Sequence, residues 1–271
     1  MHSINDLYKR QELAKDLLKY GIDVCCIQET KIQEDLDGNV GEYRLLSFNG
    51  GSHHGLGFYI RREFEKRFTV ANVRREENKD RIASLHLRTI DGKRFTIINV
   101  HAPTAEKSEQ DHYDFQSALD STYRKYSSNQ LCLICGDFNA EVGRKQMEDT
   151  CVGNHTTDRD RSEQGVQLVD FCERHDLFLC NTAFAQLARS KATHYDTTGT
   201  YLRQIDYVIC PRKLIGMLTN CRTHAKTVIS DHRLLAARLN LSRFYGMTGA
   251  KTKPKCKTVK YDLETEYSGN T

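Results

Sequence analysis

No apolar run in the 271 residues approaches the roughly 20 residues that cross a bilayer, and Met1 to Arg10 is polar, without the hydrophobic core of a secretory signal. Neither a membrane protein nor a secreted one is expected; the sequence points to an intracellular protein, nuclear if it acts on genomic DNA. Prolines number three, and no Pro-, Gly- or Ser-rich stretch divides the chain before its end, so one domain with one large core is expected over residues 1–241. Charge of one sign is scarce too. The net charge is +4, and the excess sits late, where Arg243, Lys251, Lys253, Lys255, Lys257 and Lys260 stand among few apolar residues. Residues 242–271 are expected to form a solvated, disordered basic tail that adds salt-sensitive affinity for phosphate backbones, or a linker left from a longer polypeptide.

Zinc-finger spacing is also lacking. Of ten cysteines, Cys25, Cys26, Cys132, Cys135, Cys180 and Cys210 lie in or beside apolar strand-like runs, where a thiol behaves as a small buried hydrophobe. Cys132 and Cys135 make one CxxC pair, but strand alternation would send their sulfurs to opposite faces, and no second pair follows at a ligating distance. A reduced protein without structural zinc is expected. Gly50-Gly51-Ser52-His53-His54-Gly55-Leu56-Gly57 resembles a phosphate-cradling loop. A strand follows it instead of a helix, and no Lys-Ser/Thr pair accompanies it, so a hairpin or surface loop is expected and nucleotide binding is not.

What is present reads as mixed α and β elements in one unit. Lys9 to Tyr20 carries Leu13, Leu17 and Leu18 at helical spacing, and Ser108 to Tyr126 and Gly165 to His175 are long enough for helices. Ile22–Ile27, Tyr43–Phe48, Leu56–Ile60, Ile82–Leu87, Phe95–Val100, Leu131–Cys135, Ile205–Cys210 and Leu234–Leu241 read as strands. Periodicity alone supports only α/β or α+β. Four short segments then place an acid, amide or imidazole at the end of such a run: Gln28-Glu29-Thr30, Gly136-Asp137-Phe138-Asn139, Ile205-Asp206-Tyr207 and Ser230-Asp231-His232. A single carboxylate at a strand end most often caps a turn, but four in this order supply the parts of a metal-dependent phosphodiester hydrolase.

These segments resemble the endonuclease/exonuclease/phosphatase superfamily over residues 7 to 241. Val100-His101-Ala102-Pro103-Thr104, Gln167-Leu168-Val169-Asp170-Phe171-Cys172, and Asn181-Thr182 before Ala192-Thr193-His194 resemble its non-LTR retrotransposon branch, the RTE clade, whose copies are often labelled craniofacial development protein-like. The resemblance implies two packed mixed sheets flanked by helices, a four-layer sandwich with the site at one rim. It implies magnesium as cofactor, with manganese able to substitute, held by Glu29 as principal ligand and Asp231 as an additional acid. Asp137 would orient or deprotonate the attacking water, Asn139 would hold phosphate or water, and His232 would contact the scissile phosphate. Asp206 would orient His232, and Thr193 and Ser230 would be supporting hydrogen-bond donors to substrate. His101 occupies a position where many members carry tyrosine, and either contacts phosphate or fills a strand end.

One departure concerns the beginning. Superfamily members start with a strand bearing an asparagine; Met1 falls just after where that strand should lie, and Ile4-Asn5-Asp6 follows no apolar run, so the sandwich is expected to lack its first strand. Nothing after the nuclease-like region resembles a reverse transcriptase, which suits a fragment of a longer retroelement protein. Three functions stay open: a monomeric, magnesium-dependent endonuclease that nicks DNA to leave a 3′-hydroxyl, a phosphatase or phosphodiesterase on a small phosphorylated substrate, and an inactive nucleic-acid-binding relic.

Overall fold

The computed structural model describes residues 4, 6–50, 54–77, 80–128, 130–195, 202–226 and 230–241. In chain order these form α1 (Leu7–Tyr20), β1 (Val24–Gln28), β2 (Leu36–Val40), β3 (Tyr43–Ser47), β4 (Leu56–Arg61), α2 (Arg62–Glu65), β5 (Phe68–Arg75), β6 (Ile82–Thr89), β7 (Arg94–His101), α3 (Glu109–Ser127), β8 (Leu131–Asp137), α4 (Glu163–Arg174) and β9 (Leu177–Leu179). They continue with α5 (Ala188–Lys191), β10 (His194–Tyr195), β11 (Leu202–Arg203), β12 (Asp206–Pro211), β13 (Leu218–Lys226) and β14 (Arg233–Leu239). Residues 242–271, the expected tail, lie outside the described residues, as do Asn5 and Gly51, Ser52 and His53 of the glycine loop. None of the described helices is long and apolar enough to cross a membrane.

The long helices begin where side chains can cap them. Asp6 accepts from the Tyr8 N–H at 2.9 Å, and the helix it starts ends on Gly21, which takes the left-handed φ of 67° that a side chain resists. Ser108 is the cap of α3 and not its first turn: it accepts from the Asp111 N–H at 3.1 Å, and the Asp111 carboxylate accepts the Ser108 N–H in return. Ser162 caps α4 in the same way through the Gly165 N–H.

Two sheets carry the core. The smaller runs β1-β4-β3-β2 and the larger β5-β6-β7-β8-β12-β9, with β1 and β4 lying against β6, β7 and β8. Leu13, Ala14 and Leu17 of α1 pack with Ile27, Tyr43, Leu45 and Tyr59 on the outer face of the small sheet. Phe115, Leu119 and Tyr123 of α3 and Leu168 and Phe171 of α4 pack with Ile98, Val100, Ile134 and Ile209 on the outer face of the large one. Helix, sheet, sheet and helix are thus the expected four layers. The small sheet is antiparallel throughout, however, and only the large one is mixed, through the parallel pair β7 and β8. The reason is the connections: a short turn at Gly41 returns β2 into β3, whereas β7 reaches β8 through the crossover helix α3. The last strand, expected over Leu234–Leu241, pairs with β13 in a separate two-stranded ladder. Ahead of α1 no strand is described; Ile4 is fully buried in the core under α1, and its N–H donates to the Thr30 carbonyl at 3.2 Å.

One buried amide fastens the two sheets together beside the rim. Asn99 of β7 donates to the carbonyls of Ile27 and Gly57, both at 3.0 Å, and accepts from Gln28 Nε2 at 2.6 Å. An amide with no solvent access must be paired to be tolerated, and here the pairing fixes β1 and β4 against β7 one residue before Glu29.

Candidate active site

Strand register brings three of the predicted residues into one row. Asp137 ends β8; its neighbour in the parallel direction is His101, at the end of β7, and its antiparallel neighbour is Asp206, at the start of β12. Gly136 makes the row possible. It lies at φ 147°, and a Cβ there would sit 2.0 Å from the Val100 carbonyl oxygen, so no side chain fits between β7 and β8 at this point.

His232 reaches the row from the segment ahead of β14. Its Nδ1 is 2.8 Å from Asp206 Oδ2, which leaves Nε2 pointing to Asp137, 3.9 Å from Oδ2. The other Asp137 oxygen accepts the Asn139 N–H at 2.9 Å. Asn139 takes a left-handed φ of 48°, which an asparagine tolerates, and anchors itself by donating from Nδ2 to the Ala102 carbonyl at 2.9 Å. Glu29 holds a similar left-handed backbone at φ 51°, where a glutamate is strained by about 1–3 kcal/mol. Its carboxylate stands 3.7 Å from His101 Nε2 and 3.4 Å from Lys31 Nζ.

Thr193 and Ser230, expected to donate to substrate, act in this structure as acceptors that set backbone. The buried Thr193 hydroxyl takes the N–H groups of Ile205 and Asp206 at 3.0 and 3.1 Å, and Ser230 Oγ takes that of His232 at 2.9 Å. Sequence reasoning assigned no role to Asn181, yet it is fully buried, donates to the Asp206 carbonyl at 2.8 Å and accepts the Val208 N–H at 3.1 Å. The signal was available: a polar pair closing the apolar run Leu177–Cys180. Asn99 was missed too, although an amide inside Ile97-Ile98-Asn99-Val100 announces a buried partner. His194 was quoted without a role; its ring lies 4.7 Å from that of His232, and its Nε2 is 3.7 Å from Asp231 Oδ2.

Crowding of acids in a dry place shifts their protonation. Burial and the adjacent Asp206 charge push the Asp137 carboxyl up to about 7, against the pull of His232 and the Asn139 N–H. Burial would lower the His232 imidazole, but the Asp206 and Asp137 carboxylates overcome it and hold the ring at about 9, so it is charged at neutral pH. His101 moves the other way: burial takes it down to about 4 despite Glu29 beside it, leaving a neutral ring. The Glu29 carboxyl, which burial would raise, is held below its usual range by positive charge around it, that of Lys31 included.

Among the described residues, two groups have ligand atoms that all converge within 4.8 Å: Asp137 with Asp206 and His232, and His194 with Asp231 and His232. Glu29, the expected principal ligand, belongs to neither and sits between His101 and Lys31. The chemistry nonetheless fits a hard divalent ion, which needs only one or two protein carboxylates. Ionised Glu29 and Asp231 are half-exposed at the rim, and Asp137, raised by burial and by the neighbouring Asp206 charge, adds a third carboxyl beside them.

The model of the Endonuclease/Exonuclease/phosphatase family matches residues 3–232, which takes in every one of these side chains. The chain belongs to that family. Its curated relatives include Craniofacial development protein 2 of Bos taurus, 31% identical over 86% of this chain and 39% of that protein. Another is the protein of the same name from Tragulus javanicus, 29% identical over 69% of this chain and 32% of the relative. The chain thus spans 32% and 39% of the length of these two relatives. In fold it is similar to the AP endonuclease LMAP from Leishmania major, with a TM-score of 0.67 at 14% identity over 88% of this chain and 85% of that one. The endonuclease domain of TRAS1, a telomere-specific non-LTR retrotransposon, superposes with a TM-score of 0.58 at 15% identity, over 87% of this chain and 93% of that domain.

Proposed function

We propose that the protein is a magnesium-dependent endonuclease of the retrotransposon type, which nicks DNA to leave a 3′-hydroxyl suited to priming reverse transcription. The observation that carries this reading is the Asp137–Asp206–His232 cluster, with its Nδ1 bond of 2.8 Å and its carboxyl held near neutrality. The superposition on a retrotransposon endonuclease domain supports the branch. DNA as substrate is supported by another fold relative, a 3′ phosphatase from Neisseria bound to product DNA hairpin, with a TM-score of 0.61 at 16% identity over 88% of this chain and 97% of that one.

Each residue then has one task. Glu29 and Asp231 would hold the ion, whose part is to draw charge from the phosphoryl oxygens; manganese would serve as well. Asp137, with a carboxyl at about 7, orients the attacking water and takes its proton. The charged His232 ring gives its Nε2–H to a non-bridging oxygen of the phosphate, where negative charge grows as the water adds. Asp206 keeps that ring charged and oriented by accepting Nδ1–H. Asn139, turned by its left-handed backbone, offers its amide to the phosphate, and the neutral His101 lines the approach. Cleavage of the bond from phosphorus to the 3′-oxygen leaves a 5′-phosphate, and the departing 3′-oxygen takes a proton from solvent to become a free 3′-hydroxyl.

Relaxation of supercoiled plasmid tests the proposal. Nicked circles should form with magnesium or manganese, disappear with EDTA, and carry ends that a polymerase extends without further treatment. Activity surviving thorough chelation would contradict the metal requirement, and faster hydrolysis of inositol phosphates than of plasmid would move the substrate to small phosphorylated molecules.

A further inference from the structure

The rim holds a second donor set centred on His194, a residue to which the mechanism gives no task. Backbone places it firmly: the His194 and His232 positions form a bridge, the Tyr195 N–H donates to the Asp231 carbonyl at 3.0 Å, and the Arg233 N–H donates to the Thr193 carbonyl at 2.7 Å. His194 Nδ1 has no hydrogen-bond partner among the described residues, and Nε2 stands 3.7 Å from Asp231 Oδ2, beyond a good hydrogen bond. The two imidazoles meet edge to face with centroids 4.7 Å apart, and one ligand atom from each of His194, Asp231 and His232 lies within 4.8 Å of the others.

Those separations suit an ion. Bonds of about 2.0–2.2 Å in a tetrahedral arrangement set donor atoms roughly 3.4 Å apart, so side-chain shifts of about an ångström or less would close this group around one. Two imidazoles and one carboxylate are a borderline donor set that favours zinc and its neighbours in the first transition row over magnesium. His232 is also arranged as a metal-bound histidine is, with Nδ1 tied to a carboxylate, Asp206, which leaves Nε2 as the nitrogen to ligate.

We propose that His194, Asp231 and His232 form a binding site for a zinc ion, and that zinc held there switches the hydrolase off. A coordinated Nε2 cannot donate to the phosphate, and Asp231 is drawn away from its place in the magnesium site. The inhibition half rests on the role given to His232 above; the binding half does not.

Cobalt(II) serves as a visible stand-in for zinc. The intact chain should take up one equivalent with the d–d bands of a tetrahedral imidazole and carboxylate site, without the near-ultraviolet band of a thiolate, and zinc should displace it. His194→Gln should weaken zinc binding by about tenfold or more, and Asp206→Asn by about 10–100-fold through the lost support of His232. His194→Glu, which keeps a donor of similar reach, should bind more tightly than His194→Gln. With magnesium in excess and each protein referred to its own zinc-free rate, half-inhibition of His194→Gln should need at least about tenfold more zinc than the unmodified chain. Equal zinc affinity in the unmodified chain and His194→Gln, at matching melting temperatures, would overturn the site, as would a thiolate band. Zinc bound at His194 without inhibition would overturn the switch alone. An unmodified chain that fails to nick but binds zinc through His194 would leave the site standing and count against the endonuclease.

Discussion

The large sheet holds two histidine–carboxylate clusters, and they are built on opposite plans. Away from the rim, Glu76 accepts from Ser84, from Tyr126 Oη at 2.9 Å and from Lys125 Nζ at 3.1 Å. His86 is bonded at both nitrogens, to Ser84 Oγ at 2.9 Å and Thr96 Oγ1 at 3.0 Å. A serine, a histidine and an acid in contact look like a nucleophile with its base, yet Ser84 is fully buried and every polar atom of the chain Glu76–Ser84–His86–Thr96 named here has a partner. Burial raises the Glu76 carboxyl, and its three donors outweigh that and hold it below its usual range. At the rim the balance is reversed. Asp137 and Asp206 sit side by side with one histidine between them, and Asp137 is driven up to about 7. A satisfied network stabilises the fold; an unsatisfied one stores charge that a phosphate and a cation can relieve.

Breaking each cluster should therefore do different things, and the largest effect belongs to the rim. His232→Ala and Asp206→Ala should each lower the nicking rate by about 10²–10⁴-fold, and the double variant should be little slower than either, because two residues acting as a unit are not additive. Fully additive losses would show that they act separately. The rate should also trace a bell against pH, rising as Asp137 loses its proton near 7 and falling as His232 loses its own near 9. A flat profile between pH 6 and 10 would count against both assignments.

In the partnered cluster the expected change is in stability. Glu76→Ala strands three donors and should cost about 2 kcal/mol in denaturant unfolding, while the folded protein nicks within a few-fold of its former rate. The pH dependence separates the clusters further. A carboxyl depressed in the fold, like Glu76, stabilises above the ordinary glutamate range and loses that contribution as pH falls through its folded value. A carboxyl raised in the fold, like Asp137, does the opposite: its contribution is present below the ordinary aspartate value of 3.8 and is lost as pH rises toward about 7. Glu76→Gln should flatten the acid limb of the stability curve, and Asp137→Asn the limb between about pH 4 and 7. The smallest effect expected is that of Thr193→Val, which orphans two backbone N–H groups and should cost about 1–3 kcal/mol with only a modest slowing of nicking.

The rim was legible in the sequence because buried strands announce their ends. Continuous apolar runs broken by Asp137, Asp206 and His232 placed the cluster, and the helix expected from Ser108 is capped by that residue, whereas α4 starts two residues ahead of the expected Gly165. Whatever depended on the partner strand was not legible. Strand direction follows connections, which is why the small sheet proved antiparallel. Asn99 and Asn181 find their partners on strands distant in sequence, and the role of Thr193 turns on two N–H groups that only β12 brings within reach. The left-handed backbone of Glu29 and the closeness of Gly136 to Val100 are properties of folded neighbours, to which local pattern is blind.

Plasmid nicking by Asp137→Asn, measured beside its melting temperature, tests the central claim most directly. The side chain keeps its shape and loses the charge that the rim cannot satisfy. The account predicts a rate at least about 10²-fold lower together with a melting temperature equal to or above that of the unmodified chain. Undiminished nicking, or a loss of rate that merely follows a fall in melting temperature, would contradict it.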